Sequence, residues 1–326
     1  MNARAQTGVA LLTVLLMVVV ISVLVIAMLD DIRFGLRRST NAESLAQARW
    51  HAQGAEAVAR NRIALLHRLD PQRTTLAGDW ADRPVRLPLP NGYVQAELSD
   101  ATHCFNLNSV VQGANDLVIR RENGVSQFIA LAQGLEVPES QARMLADNLV
   151  DWIDSDQQPS PAGHEDSSYR RGRDGYVTGA TLLAEPSELR AIHGFDANVY
   201  ERLRPWVCAL PTTAPTPVNV NTLGPDAAPL LQMLAGRGLT PSAARVAIAA
   251  RPEAGWQSIS QFWATSGLRA LQPDNDTLAQ AAVRTRLFRA RVRVENGPAQ
   301  AVLESLIEQG DDGRTRLLAR QWNLPE

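Results

Sequence analysis

The run from Val9 to Leu29, VALLTVLLMVVVISVLVIAML, leaves little freedom about what this chain can fold into. Its only polar side chains are Thr13 and Ser22. About 21 helical residues at ~1.5 Å each reach roughly 31 Å, the thickness of a bilayer's hydrocarbon core. The spacing predicts a membrane helix and therefore an anchored protein. Ahead of it lies MNARAQTG, with Arg4 as its charged side chain and Gly8 at its end. Three readings of that junction compete. A secretory signal peptide has an apolar core of roughly 7 to 15 residues and a small-x-small cleavage site behind it, whereas this core is longer and runs into Asp30-Asp31. A plain signal anchor fits the length but gives Gly8 no role. A short, polar, basic leader cut after Gly8 would leave the helix on the mature chain, with Val9 as its new amino terminus and Thr13 at the fifth position. Charge counting does not orient the span, because Arg33, Arg37 and Arg38 beyond it outnumber Arg4.

The helical pattern continues past the membrane. No proline occurs from Asp30 to Leu69, and Ala42, Leu45, Ala48, Ala52, Ala55, Ala59, Ile63 and Leu66 recur at steps of three and four, forming a narrow apolar stripe. The expectation is one continuous helix of about 60 residues, roughly 90 Å long, ended by Pro71; the alternative is a break near Gly35 or Gly54. A stripe of small residues suits packing against identical or related stems in a filament. At 326 residues and 45% hydrophobic content, the chain has room for a large soluble part beside the anchor. A net charge of −2, with every basic residue an Arg, offers no overall basic field for nucleic acid.

Two regions read as β-structure. In VRLPLPNGYVQAELSDATHCFNLNSV, Asn91-Gly92 separates apolar-rich arms, and paired prolines keep the first arm at a sheet edge. The C-terminal region divides into LFRARVRVENG, AQAVLESLIEQGDDG and TRLLARQWNL, with Asn296-Gly297 and Asp311-Asp312-Gly313 as hairpin signals. A long helix followed by a small antiparallel sheet is an α+β plan. Between the β regions lies a helical insertion, about 111–283, in which Pro138-Glu139 opens a helix carrying Ala142, Leu145, Leu149, Trp152 and Ile153 on one face.

Within the insertion, DWIDSDQQPSPAGHEDSSYRRGRDGY gathers Asp151, Asp154, Asp156, Glu165, Asp166 and Asp174 among Pro, Gly and Ser. Clustered carboxylates repel unless a cation or Arg offsets them, and an all-oxygen set on a loop suits calcium better than zinc. His164 is the one soft ligand nearby, and the spacing is not that of an EF-hand. The candidate ligands are Asp154, Asp156, Glu165 and Asp166; the competing reading is a solvated acidic loop offset by Arg170, Arg171 and Arg173. Paired carboxylates also serve as acid and base in glycoside hydrolysis, but no nucleophile elbow, HExxH or phosphate loop accompanies them, so no catalytic residue is assigned. Further on, residues 218–270 resemble a helix-hairpin-helix unit of DNA-binding and DNA-uptake proteins, with Gly236-Arg237-Gly238 as the hairpin. Arg237, Arg245, Arg251 and Arg269 against Asp226 and Glu253 make a weak footprint for phosphate, so the unit reads as a scaffold for protein contacts, with a membrane-anchored DNA-uptake protein as the alternative.

Taken in order, the leader, the apolar stem, Phe105-Asn106-Leu107-Asn108, Asp151-Trp152-Ile153-Asp154, Glu165-Asp166, Ser187-Glu188-Leu189 and Asn219-Val220-Asn221-Thr222 resemble the K-type minor pseudopilins of type II secretion systems. Pilins and pseudopilins nearly always carry Glu at the fifth mature position, where it is thought to neutralise the amino terminus of the subunit ahead. Thr13 stands there instead, as expected of a subunit with nothing in front of it. The resemblance implies a prepilin leader at 1–8 removed by prepilin peptidase between Gly8 and Val9, methylation of Val9, a membrane-spanning part at 9–29 and a soluble part of the stem at 30–70. It implies a pilin-like β domain in two parts, 71–110 and 284–326, split by the α-domain at 111–283. It further implies single-pass residence in the inner membrane with the head in the periplasm, and calcium in the α-domain. The implied partners are I- and J-type minor pseudopilins, other pseudopilus subunits and secreted exoproteins, without nucleic acid. The implied role is to initiate and cap the pseudopilus at its tip. A periplasmic location would permit a disulfide between Cys104 and Cys208, the alternative being two unpaired buried thiols.

Overall fold

The computed structural model describes residues 3–114, 117–170, 175–236, 238–271, 273 and 275–323. Helix α1 runs unbroken over Ala3–Leu69, through both Gly35 and Gly54. Two of its hydroxyls return hydrogen bonds to the helix itself: Ser22 Oγ donates to the Val18 carbonyl at 2.8 Å and Thr40 Oγ1 to Leu36 at 3.0 Å. Such bonding satisfies the Ser22 hydroxyl within the apolar run, where no water would. From Leu11 to Leu36 the large apolar side chains are all exposed, and this is the one helix among the described residues long and apolar enough to cross a membrane. Past Leu69, the Asp70 carboxylate accepts from the backbone N–H groups of Gln72 and Arg73, turning the chain away ahead of the sheet.

Strands β1 (Val85–Leu89) and β2 (Gly92–Asp100) form a hairpin across Pro90-Asn91. Gly92 is required there, because a Cβ would lie 1.9 Å from the Glu295 carbonyl oxygen. The insertion follows, built from β3 (Phe105–Asn106), β4 (Val111–Ala114), β5 (Leu117–Arg120), α2 (Glu122–Gly134), α3 (Glu139–Ile153), α4 (Asp166–Tyr169), α5 (Ala197–Leu203), β6 (Val207–Cys208), β7 (Val218–Asn219), α6 (Ala228–Ala235), α7 (Pro241–Ala249), α8 (Ile259–Trp263), α9 (Asn275–Gln280) and β8 (Ala281–Ala282). The chain then returns to the sheet as β9 (Leu287–Asn296), β10 (Ala299–Gln309) and β11 (Thr315–Asn323). The five strands are antiparallel in the order β1-β2-β9-β10-β11, so β2 and β9, separated by the whole insertion, lie side by side with Asp100 opposite Phe288. The architecture is α+β, as expected.

The small-residue stripe is spent inside this chain. Leu45, Ala48, Ala52 and Ala55 pack on Val94, Val292, Val294 and Leu303, while Ala59, Ile63 and Leu66 pack on Leu98, Phe288, Ala290 and Ile307. Alternation along β9 puts Phe288, Ala290, Val292 and Val294 on the face toward α1 and Arg289, Arg291 and Arg293 on the other. The expectation that the stripe faces neighbouring stems is therefore corrected, since small side chains let the helix lie close on the sheet. The register also orients the molecule. The insertion leaves and rejoins the sheet at Asp100 and Leu287, beside Ile63 and Leu66, at the end of the head farther from the apolar half of α1.

A buried polar joint fastens the two parts. Asp100 Oδ1 accepts from Thr102 N (2.8 Å) and Oγ1 (2.6 Å), and Oδ2 accepts from Thr222 Oγ1 at 2.6 Å and from the Thr285 hydroxyl. Asn219 Nδ2 donates to Thr285 Oγ1 (2.8 Å) and to the Thr74 carbonyl (2.9 Å). Cys104 and Cys208 are joined in a disulfide, Cα to Cα 5.7 Å, across the parallel pair β3–β6. With 104 residues of sequence separation, such a link stabilises by about 4 to 5 kcal/mol in the chain-entropy account.

Candidate functional site

The acidic loop is held by the helix that precedes it. Asp147, Asp151 and Asp154 recur at i, i+4 and i+7 along and just past α3, a spacing that stacks them on one face. Two of the three are anchors. Both Asp151 carboxylate oxygens accept from Ser160 N at 3.0 to 3.1 Å. Asp147 takes Ala162 N at 3.1 Å and Arg120 Nη1 at 2.8 Å. Between them, Asn148 donates to the Ala162 carbonyl and pairs with His164 Nδ1 at 2.7 Å. Gly163 permits this close return, because a Cβ there would lie 1.9 Å from Asp151 Oδ2. The loop thus folds back over α3 and brings Glu165 beside Asp154.

Asp154, Asp156 and Glu165 each present a carboxylate oxygen within 4.8 Å of the others. Asp154 and Glu165 are buried while Asp156 is exposed. Asp154 Oδ1 and both Glu165 oxygens have no hydrogen-bond partner among the described residues. Burial first, and then the charges of Asp156 and Asp151, push the Asp154 carboxyl up to about 7. Burial again, with Asp151, Asp154, Asp156 and Asp166, pushes Glu165 up to about 7. Three negative groups with idle lone pairs can stay together only with protons or a cation among them.

Asp166, expected as a fourth ligand, lies outside the group. Its Oδ1 accepts from Thr178 N (2.9 Å) and Oγ1 (2.8 Å), and its Oδ2 pairs with Arg170 at 3.1 Å. Those Thr178 hydrogen bonds hold its carboxyl below the usual range. Being next in sequence to Glu165, it opens α4 and turns its side chain to another segment. Arg170 therefore offsets Asp166 and not the cluster, while Arg171, Arg173 and Asp174 lie outside the described residues. Asp147 and Asn148 were missed as loop anchors, although the four- and three-residue spacing to Asp151 and Asp154 was the available signal.

In the hairpin segment, α6 packs its Leu230, Leu231, Met233 and Leu234 into the main core of the insertion. Gly236 and Gly238 have φ of +70° and +120°, and Arg237 lies outside the described residues. Thr240 caps α7 with its own side chain, and Arg251 donates to the Leu223 carbonyl at 2.7 Å. The backbone N–H of a phosphate-binding turn is thus partly committed to internal capping. Gly8 and Val9 lie within the first turns of α1.

Comparison with known proteins agrees with this architecture. Two family models described as type II secretion system protein K match residues 103–212 and 218–284. The chain is 39% identical to type II secretion system protein K of Klebsiella pneumoniae over 97% of its own length and 95% of that protein. It is 32% identical to the protein of the same name from Aeromonas hydrophila, over 98% of both. Among solved structures, it superposes on a chain of the GspK-GspI-GspJ complex of enterotoxigenic Escherichia coli with a TM-score of 0.75 and 30% identity, covering 88% of this chain and 100% of that one.

Proposed function

Since the chain belongs to the type II secretion system protein K family, we propose that it is the minor pseudopilin at the tip of the secretion pseudopilus, where it initiates and caps assembly for export of folded proteins. The observation that carries this is the superposition along nearly the whole chain on a subunit crystallised with I and J partners. The register adds a physical reason. The insertion sits at the end of the head opposite the apolar stem, so a further subunit stacked beyond it would meet the α-domain, not a bare stem. Thr13 brings no carboxylate to such a subunit's amino terminus, and a Glu left unpaired in hydrocarbon would be costly. Prepilin peptidase would cut after Gly8, Val9 would carry the methyl group, and the apolar half of α1 would hold the protein in the inner membrane with its head in the periplasm. The role is binding and mechanical. Co-expression of the full chain with the I and J pseudopilins of its own system tests it. A ternary complex should co-purify in detergent, and amino-terminal sequencing should begin at Val9. A chain that begins at Met1 in membranes or binds neither partner would overturn the reading.

Asp154, Asp156 and Glu165 fit calcium, because buried carboxylate oxygens without partners are what a hard cation takes. The ion would neutralise the repelling charges and lock the loop onto α3, supplying structure and no chemistry. Calorimetric titration of the full chain with calcium should show binding that D154A and E165A abolish. D166A should leave it nearly intact.

A further inference from the structure

The insertion overhangs the face of the sheet that α1 leaves uncovered, enclosing a cleft of about 880 Å³. Its floor is β9 to β11, and its roof comes from residues 184–187 and 200–210. The two sides meet where Gln321 Nε2 of β11 donates to Glu185 Oε1. Along the floor, Arg289, Arg291 and Arg293 stand at alternate positions of one strand, and Arg204 faces the cleft from the insertion. Arg289 is paired with Glu304 at 3.2 Å. Among the described residues, the side chains of Arg204, Arg291 and Arg293 make no hydrogen bond or ion pair. The acidic side chains lining the cleft are Glu185 and Glu304, both already engaged.

We propose that this cleft seats an extended acidic segment of a protein partner, with carboxylates at alternate positions. Alternate residues of a strand lie roughly 6.8 Å apart on one face, so a peptide lying along β9 would match its arginines carboxylate for guanidinium. Each such pair forms a charge-assisted, fork-shaped contact. Ala319 of β11 and Pro186 opposite keep apolar surface open to the cleft that suits aliphatic neighbours in a peptide better than a sugar-phosphate backbone. The site is separate from the carboxylate cluster and does not depend on the tip reading.

The test uses the full chain in a nonionic detergent and fluorescence anisotropy of three labelled probes: the peptide EVEVEVE, its lysine counterpart KVKVKVK, and a single-stranded DNA 20-mer. The acidic peptide should bind, more weakly as salt rises. The R291E/R293E double variant should lose roughly tenfold or more in affinity and gain binding to the lysine peptide. R68E, whose arginine lies in the last turn of α1 on the opposite face of the sheet, should change neither. No binding of EVEVEVE, equal loss in R68E, or tighter binding of the DNA through the same arginines would each overturn it.

Discussion

Glu56 on the stem and Asp154 with Glu165 in the insertion are equally removed from water, at 3%, 5% and 4% exposed, yet they meet opposite surroundings. Glu56 takes two hydrogen bonds from Arg320, at 2.9 and 2.7 Å, and one from Ser305 at 2.6 Å. Burial alone would push its carboxyl up, but the Arg320 and Ser305 hydrogen bonds and the Arg320 charge together outweigh it and hold the carboxyl low. Asp154 and Glu165 have burial without those partners and sit near 7. A buried carboxylate whose charge is answered by its own fold serves packing. One whose charge is unanswered is costly unless it keeps a proton or gains a cation.

The comparison can be broken most directly at Glu56. The E56A substitution should cost about 2 to 3 kcal/mol in urea unfolding of the full chain, less than a fully buried pair because Arg320 keeps some water, and added calcium should not repair it. A loss repaired by calcium would erase the distinction. Next in size, calcium at a hundredfold over its dissociation constant should stabilise the wild-type chain by about 2.7 kcal/mol and the E165A variant not at all, read from the same unfolding curves.

The pH dependence sharpens the contrast further. Where a folded carboxyl titrates near 7 and its unfolded form near 4, the folded state holds more protons between those values, so stability falls as pH rises through that window. Glu56 has the reverse sign, and its contribution is lost as pH falls below the ordinary glutamate range. In chelator, the melting temperature should therefore peak near pH 5 and decline by a few degrees toward pH 8. With calcium the decline should vanish. A chelated chain whose melting temperature climbs steadily to pH 8 would contradict the assignment. The smallest effect is expected at Asp166: D166A should shift calcium affinity by less than about tenfold, since its carboxylate is occupied by Thr178 and Arg170.

Much of this was legible residue by residue. The apolar run, the proline-free stem, the three C-terminal strands and their turns, and the acidic loop all announce themselves through local spacing. What misled was neighbourhood in sequence. Asp166 adjoins Glu165 but turns away, because α4 begins there and Thr178 captures it. The stripe from Leu45 to Leu66 reads equally well for any partner of matching shape, and which surface covers it depends largely on β9 and β10, more than 220 residues further along.

What the sequence determined by itself was therefore whatever rests on a period or a composition: a bilayer-length apolar helix, an α+β head, and carboxylates crowded into one loop. Tertiary structure alone decided which carboxylates are answered and which are not, which arginines share one strand face beneath the insertion, and where the insertion stands relative to the apolar half of α1. The physical reason is that burial and charge pairing are properties of surfaces brought together across the fold. Periodicity records that a face exists, but only the closed sheet, with β2 beside β9, settles what that face meets.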